Sequence, residues 1–106
     1  MECLIQKVGN VMWYQYQVSP SDSCTFELRS GNVMYIRIRG NIDFETAVSA
    51  LDDITKKLLQ EGIRPEVNVK KRNHYLQCLL RRCNYQMIDA PKFSFNIWRY
   101  NTPSYC

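Results

Sequence analysis

Apolar and polar residues alternate through most of the first forty positions, which is the pattern of half-buried β-strands. Turn formers separate the alternating runs: Gly9-Asn10 suits a tight hairpin because both residues tolerate positive φ, and Ser30-Gly31-Asn32 suits a second hairpin. A loop is predicted at Ser19–Ser23 between the two hairpins. The four predicted strands are Cys3–Lys7, Val11–Val18, Cys24–Arg29 and Val33–Arg39.

Two of these strands indicate which face is buried. In the second strand, the apolar face is predicted to carry Met12, Tyr14, Tyr16 and Val18. In the fourth strand, Met34, Ile36 and Ile38 alternate with Tyr35, Arg37 and Arg39. Because strand side chains alternate between the two faces of a sheet, we expect one face of the fourth strand to be buried and the other to be basic.

Helical spacing begins at Asp43, the predicted N-cap of a helix over Asp43–Glu61 that stops at Gly62. A second helix is predicted over Arg72–Cys83, with Asn84 in the left-handed position that ends it. The apolar stripes predicted to be buried comprise Phe44, Val48, Leu51, Ile54 and Leu58 on the first helix, and Leu76, Leu79 and Leu80 on the second.

Three further strands complete the predicted order. They are Glu66–Val69, Tyr85–Ile88 and Phe93–Tyr100, the last two forming a hairpin around Asp89–Lys92 before a loose tail at Asn101–Cys106. The strand between the helices is expected to lie parallel to the fourth strand through a right-handed crossover. The sequence therefore predicts one α+β domain over residues 1–106, with a mixed, mostly antiparallel sheet of six to seven strands and two helices.

The composition is that of a globular protein, with 45% hydrophobic and 23% charged residues. No apolar run reaches the roughly 18–20 residues of a membrane span and the start lacks a signal-peptide pattern, so we expect a cytoplasmic protein without membrane contact. Residues 1–53 carry four basic and seven acidic side chains, a net charge of −3, whereas residues 54–106 carry ten and three, a net charge of +7. This basic half predicts an anionic partner, and a solvated face without a partner is the alternative.

The residue types that commonly carry chemistry are sparse. The five cysteines form no C-x-x-C pair and His74 is the single histidine, so no metal site is predicted and the thiols are expected to be free. No Ser-His-Asp set, P-loop or G-x-G-x-x-G motif is present. The sequence pattern by itself therefore identifies no catalytic residue.

The two predicted helix N-termini carry the strongest binding signal. Arg37 and Arg39 precede Gly40-Asn41 before the first helix, and Lys70-Lys71-Arg72-Asn73 precedes the second. Unpaired N–H groups at a helix start, with basic side chains beside them, favour an anion. If the fourth and fifth strands are adjacent, both groups converge on one rim of the sheet. Asp43 opposes this interpretation, because a capping carboxylate occupies the same donors.

The run from Asn73 to Tyr85, NHYLQCLLRRCNY, resembles the fourth-helix pattern of the GCN5-related N-acetyltransferases, particularly short phage-encoded members. Asn73 falls on the asparagine that contacts coenzyme A in that family, and Asn84-Tyr85 stand where the family has glycine and phenylalanine. The strand at Pro65–Val69 and the closing hairpin are similar to the family's last strands. The resemblance thus runs from the fourth strand to the end of the chain.

This resemblance implies an acyl-coenzyme A N-acyltransferase that transfers an acetyl group from acetyl-CoA to an amine acceptor. Pantetheine would add to the edge of the fourth strand, and the pyrophosphate would bind at the following helix start. Glu27, Tyr35 or a water molecule would act as the base. The implied cofactor-binding residues are Tyr35, Arg37, Arg39, Gly40, Asn41, Asn73 and Tyr75, with Lys70, Lys71 and Arg72 as further anion-binding residues.

The chain departs from the family pattern at three points. Leu80 occupies the position of a tyrosine that commonly protonates the departing thiolate. Gly40 is the single glycine between Arg39 and Thr46, where the family carries a Gln/Arg-x-x-Gly-x-Gly/Ala motif for the pyrophosphate. The two helices that sit between the family's first strands and help form its acceptor pocket are absent, so the predicted fold is truncated.

Two alternative functions follow from the same residues. A catalytically inactive, phage-related relative would bind a host protein or a nucleic acid through the basic half, with Trp98, Tyr100 and Tyr75 available for stacking. A small structural or virion-associated protein would form a homodimer through the Val11–Val18 strand, if that strand lies at a sheet edge.

Overall fold

The computed structural model describes residues 2–89 and 95–101 and contains the predicted order of elements. The strands are β1 (Cys3–Val8), β2 (Val11–Ser19), β3 (Asp22–Arg29), β4 (Val33–Arg39), β5 (Glu66–Lys70), β6 (Tyr85–Asp89) and β7 (Phe95–Tyr100). The helices are α1 (Phe44–Gln60), between β4 and β5, and α2 (His74–Arg82), between β5 and β6.

The seven strands form one mixed sheet in the order β1-β2-β3-β4-β5-β7-β6. β1 to β4 make an antiparallel meander, β5 lies parallel to β4, and β7 pairs antiparallel with both β5 and β6. The predicted fold class and the parallel pairing of β4 with β5 are therefore confirmed. Both helices pack on the same face of this sheet, because the β4-α1-β5 and β5-α2-β6 connections both pass over that face.

Both ends of α1 follow the local chemistry of the sequence. The Asp43 carboxylate accepts a hydrogen bond from the Thr46 N–H at 3.2 Å and so caps the helix. At the other end, Gly62 has a φ of 77° and donates its N–H to the Leu59 carbonyl, while Ile63 donates to the Leu58 carbonyl. This pair of bonds is a Schellman motif, which needs a residue with positive φ at Gly62.

Several predicted boundaries are wrong by a few residues. The loop predicted at Ser19–Ser23 is shorter, because β3 already begins at Asp22 and the register shifts between Gln17 and Ser19. α2 begins at His74 rather than at Arg72, because the Asn73 side chain caps it. Three other predicted positions, the Asp89–Lys92 turn beyond Asp89, the start of β7 at Phe93 and the tail after Asn101, lie outside the described residues.

The core lies between the sheet and the helices. Its largest fully buried side chains are Trp98, Tyr16, Phe26, Met34, Leu51, Ile54, Leu58, Leu79 and Leu80. Phe44, Val48 and Leu76 were predicted to be buried as well, but they are half-buried and pack against the rim of the core. Val18 is 49% exposed, because the register shift near the end of β2 turns it away from the apolar face.

The cysteines of the described residues form no disulfide bond, as expected from the sequence. Cys3, Cys24, Cys78 and Cys83 are free thiols, and Cys106 lies outside the described residues. Burial raises the pKa of both the Cys24 and the Cys83 thiols to about 11. No helix in the described part of the chain is long and apolar enough to cross a membrane.

Leu80 provides a direct test of the core. Its side chain is fully buried under the sheet, so Leu80→Ala is expected to lower the free energy of unfolding by about 2–5 kcal/mol. Cys78→Ala, at an exposed position on the same helix, is the matched control and is expected to stay within about 0.5 kcal/mol of the parent. Urea denaturation measures both variants, and an unchanged midpoint for Leu80→Ala would contradict the core assignment.

Asp53 makes stability depend on pH. Hydrogen bonds from the Lys57 ammonium and from the Tyr16 hydroxyl hold the pKa of its carboxyl below the ordinary 3.8. A depressed folded-state pKa gives stability that is present above 3.8 and is lost as the pH falls through the folded value. Asp53→Asn is therefore expected to be less stable at pH 7 but to lose less stability below pH 3.8. Urea midpoints from pH 7 to 2 measure this, and two parallel curves would contradict it.

Candidate functional site

The strands β4 and β5 are joined for only two residue pairs, Val33 with Glu66 and Met34 with Val67. Beyond these pairs the two strands diverge toward their carboxyl ends. The β4 main chain from Tyr35 to Arg39 pairs with β3 on one side, and no strand in the described part of the chain pairs with it on the other. We call this opening between the strands the fork. It leaves main-chain donors and acceptors free along one edge of β4.

The fork opens into two cavities that contain most of the predicted site residues. A cavity of about 1210 Å³ lies over the sheet face opposite the helices and is lined by Tyr35, Arg37, Arg39, Lys70 and Asn73, among others. A smaller cavity of about 490 Å³ lies at the start of α1 and is lined by Ile38, Gly40, Asn41, Ile42, Asp43 and Tyr75. Lys71 and Arg72 are exposed on the turn before α2 and line neither of these cavities.

The β2–β3 turn packs against the start of α1 through Gly40. Gly40 has a φ of 81°, and a Cβ at this position would stand 2.0 Å from the Asp22 carboxylate and 2.5 Å from the Ser21 carbonyl oxygen. The Asp22 carboxylate accepts the Asn41 N–H at 2.9 Å and the Ser19 hydroxyl at 2.6 Å. These hydrogen bonds, that of Ser19 above all, lower the pKa of Asp22. Gly40 is therefore required for the close approach of this carboxylate.

Two carboxylates thus occupy the N-terminal end of α1. Asp43 accepts the Thr46 hydroxyl at 2.8 Å and the Thr46 N–H, and both bonds lower its pKa. The sequence predicted that Asp43 would occupy these donors, but it did not identify Asp22, which begins β3 beside the end of β4. The backbone donors that a phosphate would use are partly satisfied by the protein's own acidic side chains.

The start of α2 forms the opposite wall of the fork. The Asn73 side-chain oxygen accepts the Leu76 N–H at 3.0 Å, so this side chain serves as the helix cap. Tyr75 is 39% exposed, and its ring meets the ring of Phe44 edge to face at 5.8 Å between centroids. Tyr75 therefore links the first turns of the two helices and closes one side of the smaller cavity.

Polar side chains lie at the mouth of the fork on the face opposite the helices. The Asn68 amide donates to the Tyr35 hydroxyl at 3.4 Å and so connects β5 with β4 just beyond their last backbone pair. Glu27 is next to Tyr35 across the β3–β4 pairing, and its carboxylate forms an ion pair with Arg29 at 3.0 Å. Asn68 was missed from the sequence, although its position between Val67 and Val69 on a buried strand marked it as facing away from the helices.

The position of Leu80 differs in chemistry from the family pattern. Leu80 is fully buried in the core and supplies no hydroxyl group. Within residues 2–89 and 95–101, no cluster of three or more histidine, cysteine or acidic side chains is placed to bind a metal ion. The polar groups at the mouth of the fork, where chemistry could take place, are those of Tyr35, Asn68 and Glu27.

The sequence of the chain matches no protein-family model and no characterised protein. Its structure resembles the Campylobacter jejuni N-acetyltransferase PseH, both in complex with acetyl coenzyme A (TM-score 0.60) and without it (TM-score 0.62). In both cases the identity is 12%, and the match covers 87% of this chain and 68% of PseH. It also resembles the microcin C7 self-immunity acetyltransferase MccE in complex with acetyl-CoA and AMP, at 12% identity and a TM-score of 0.58, over 84% of this chain and 58% of MccE.

The structural match extends further than the sequence resemblance. That resemblance began at the fourth strand, whereas the match to PseH covers 87% of the chain and so includes much of the meander before β4. The chain spans 58% of MccE and 68% of PseH, which agrees with the truncation that was predicted. These matches, together with the fork between β4 and β5, show that the chain has the fold of the GCN5-related N-acetyltransferases.

Proposed function

We propose that the chain is an acyl-coenzyme A-dependent N-acyltransferase, with acetyl-CoA as the acyl donor and an amine as the acceptor. The observation that carries this proposal is the fork, where β4 and β5 share two backbone pairs and then diverge toward the start of α1. Two structures with the same fold, PseH and MccE, are complexes with acetyl-CoA. The amine acceptor is part of the proposal, because the neighbours are N-acetyltransferases or acetyltransferases by name.

The free edge of β4 is suited to the pantetheine arm of coenzyme A. Pantetheine carries two amide groups, and the edge from Tyr35 to Arg39 offers main-chain donors and acceptors in strand geometry. In this placement the thioester end lies near Tyr35 and Asn68, at the point where the strands separate. The pyrophosphate end lies at Gly40-Asn41, against the smaller cavity that Tyr75 closes.

Basic side chains of both strands line the larger cavity beside this placement. Arg37 and Arg39 project from β4, and Lys70 ends β5 on the far side of the fork. Asn73, Lys71 and Arg72 belong to the turn that follows, before α2. These cations offset the Asp22 and Asp43 carboxylates at the start of α1, so that a polyanionic ligand gains a net attraction.

The transfer step joins the acceptor nitrogen to the acyl carbon, breaks the carbon–sulfur bond and moves one proton from nitrogen to sulfur. Glu27 and Tyr35 are the titratable groups at the mouth of the fork that we propose for moving this proton. Glu27 forms an ion pair with Arg29, and the Tyr35 hydroxyl accepts from Asn68, so each side chain has one partner that orients it. The thiolate would take its proton from Tyr35 or from water, since Leu80 has none to give.

Binding of acetyl-CoA is the first test of this proposal. Isothermal titration calorimetry at low ionic strength is expected to show one site per chain. The double variant Arg39→Glu with Lys71→Glu is expected to bind more weakly and with a smaller dependence on salt, because it replaces two cations near the phosphates by anions. Lys56→Glu, on the exposed side of α1, is the matched control and is expected to bind like the parent.

Two results of this titration would contradict the proposal. The first is the absence of heat with millimolar acetyl-CoA, which would favour an inactive relative with another ligand. The second is equal affinity of the parent and the Arg39–Lys71 double variant, which would exclude the fork as the site. Binding without acetylation of any amine in a broad panel would retain the fork as the acetyl-CoA site and overturn the catalytic part.

Asp22 provides a test in which acetyl-CoA binding is expected to become tighter rather than weaker. Asp22→Asn removes a negative charge at the start of α1 but keeps an oxygen that can accept the Asn41 N–H. We expect acetyl-CoA to bind about two- to five-fold more tightly, the size of one charge at a helix terminus. Asp52→Asn removes one carboxylate near the middle of α1 and is the matched control, which is expected to bind like the parent. Unchanged or weaker binding by Asp22→Asn, measured by the same calorimetry, would contradict a pyrophosphate at this position.

A further inference from the structure

The sheet face opposite the helices, which we call the open face, carries side chains in registered rows. One row consists of Trp13 on β2, Glu27 on β3 and Tyr35 on β4, as the strand registers show. The next row toward the carboxyl end of β4 consists of Gln15, Thr25 and Arg37. Neither helix covers these rows, because both helices lie on the other face, and the Arg29 guanidinium lies over the Tyr35 ring at one end of the first row.

The open face carries an excess of positive charge. Two of its acidic side chains are neutralised locally, since Glu27 pairs with Arg29 at 3.0 Å and Glu66 pairs with Arg99. Asp89, opposite Ile97 in the register, forms no ion pair with any of the described residues. Arg37, Arg39 and Lys70 form no ion pair with any of the described residues. Three uncompensated cations therefore line the cavity of about 1210 Å³ on this face.

Aromatic rings alternate with these cations. Trp13, Tyr35 and Phe95 line the same cavity, and the Arg29 guanidinium stacks over the Tyr35 ring at 4.8 Å. Trp13 and Tyr35 lie two strands apart, which is about 9–10 Å across the sheet. One planar ring cannot cover both at that separation, whereas two successive bases can. The cavity also exceeds the roughly 300–1,000 Å³ of most small-molecule sites.

We infer that the open face binds single-stranded nucleic acid, with one base stacked on Trp13, another on the Arg29 guanidinium over Tyr35, and phosphates held by Arg37, Arg39 and Lys70. Bases of a single strand are free to stack on aromatic side chains and on guanidinium planes, and a basic groove follows the backbone. Duplex bases are paired and cannot reach these rings. This surface differs from the stacking residues predicted from the sequence, because Trp98 is only 2% exposed and packs under Arg81.

A homodimer is a less suitable occupant of the open face than a nucleic acid strand. Two copies placed face to face would bring their uncompensated arginines together, which like-charge repulsion disfavours. The dimer through β2 was predicted only for a β2 at a sheet edge, and that condition is not met, since β2 lies inside the sheet between β1 and β3. A strand of phosphates supplies the negative charge that the face lacks.

Fluorescence anisotropy of a labelled ten-nucleotide single strand, as DNA and as RNA, tests this inference. We expect binding at 50 mM salt that weakens steeply as salt is added. Trp13→Ala is expected to weaken it roughly 5- to 150-fold, the effect of losing one stacked base. Arg37→Ala is expected to reduce the slope of log affinity against log salt by about 0.7. Lys56→Ala, on the exposed side of α1, is the charge control and is expected to have no effect.

The two tryptophans provide a second readout. Trp13 lines the open face and Trp98 is buried, so quenching of tryptophan fluorescence by the oligonucleotide should come from Trp13 and vanish in Trp13→Phe. Circular dichroism confirms that each variant is folded. No binding at 50 mM salt, equal affinity for a duplex or for AMP, or unchanged affinity in Trp13→Ala would each overturn the inference. Calorimetry of Trp13→Ala with acetyl-CoA separates this result from the proposed acyltransferase site.

Discussion

Two hydrogen-bonding contacts of α1, one buried and one partly buried, hold the halves of the sheet together. The Tyr16 hydroxyl of β2 donates to Asp53 at 2.5 Å, and the Tyr85 hydroxyl of β6 lies 2.6 Å from the Thr55 hydroxyl. Asp53 and Thr55 are two residues apart on the same helix, yet their partners belong to strands on opposite sides of the fork. Since the two halves share only two backbone pairs, the helical layer carries much of their connection. Burial raises the pKa of both tyrosines, so these contacts persist as neutral hydroxyls.

A sheet held together from one side has consequences for its other side. Because both crossovers pass over the same face, the large buried side chains of the strands collect there, and the opposite face meets water. In β4, Ile36 and Ile38 lie on the face toward the helices, and Arg37 and Arg39 lie on the opposite face. The fork reaches both faces, so a ligand inserted between β4 and β5 touches the helices on one side and the open face on the other.

Local signals in the sequence were sufficient for the elements and their order. The helix signals are the cap at Asp43, the stop at Gly62 and the left-handed residue Asn84, with a φ of 65°. Each depends on contacts with residues a few positions away, so a short stretch of sequence is enough to predict it. The alternation along β4 likewise assigned its two faces. For Trp98 no such signal existed. Phe95 and Ile97 on the other face of β7 are apolar too, so the alternation of residues does not show which face of this strand is buried.

Features that depend on distant segments could not be predicted. The length of the β4–β5 pairing is a property of two strands separated by a whole helix, and nothing in either strand marks where they diverge. The contact of Asp22 with Asn41 joins residues 19 positions apart at the end of the β3–β4 ladder, and it was missed because Asp22 was placed in the predicted loop rather than in β3. Tyr35 and Glu27 were proposed from their residue types. The contact of Asn68 with Tyr35 depends on the register of β4 and β5, whereas Arg29 lies two residues from Glu27 on the same face of β3.

The start of α1 differs from a glycine-rich helix start, because its backbone donors are already bound by side chains of the protein. In a chain with several glycines there, the backbone donors remain open until a phosphate arrives. Here Asp22 and Asp43 satisfy them in advance, and Gly40 is retained because the Asp22 carboxylate needs the space of a missing Cβ. The helix end is thereby stable without a ligand, and a phosphate has to compete with these carboxylates for the same donors. Attraction in this site must come from the arginines and lysines around the fork rather than from the helix end alone.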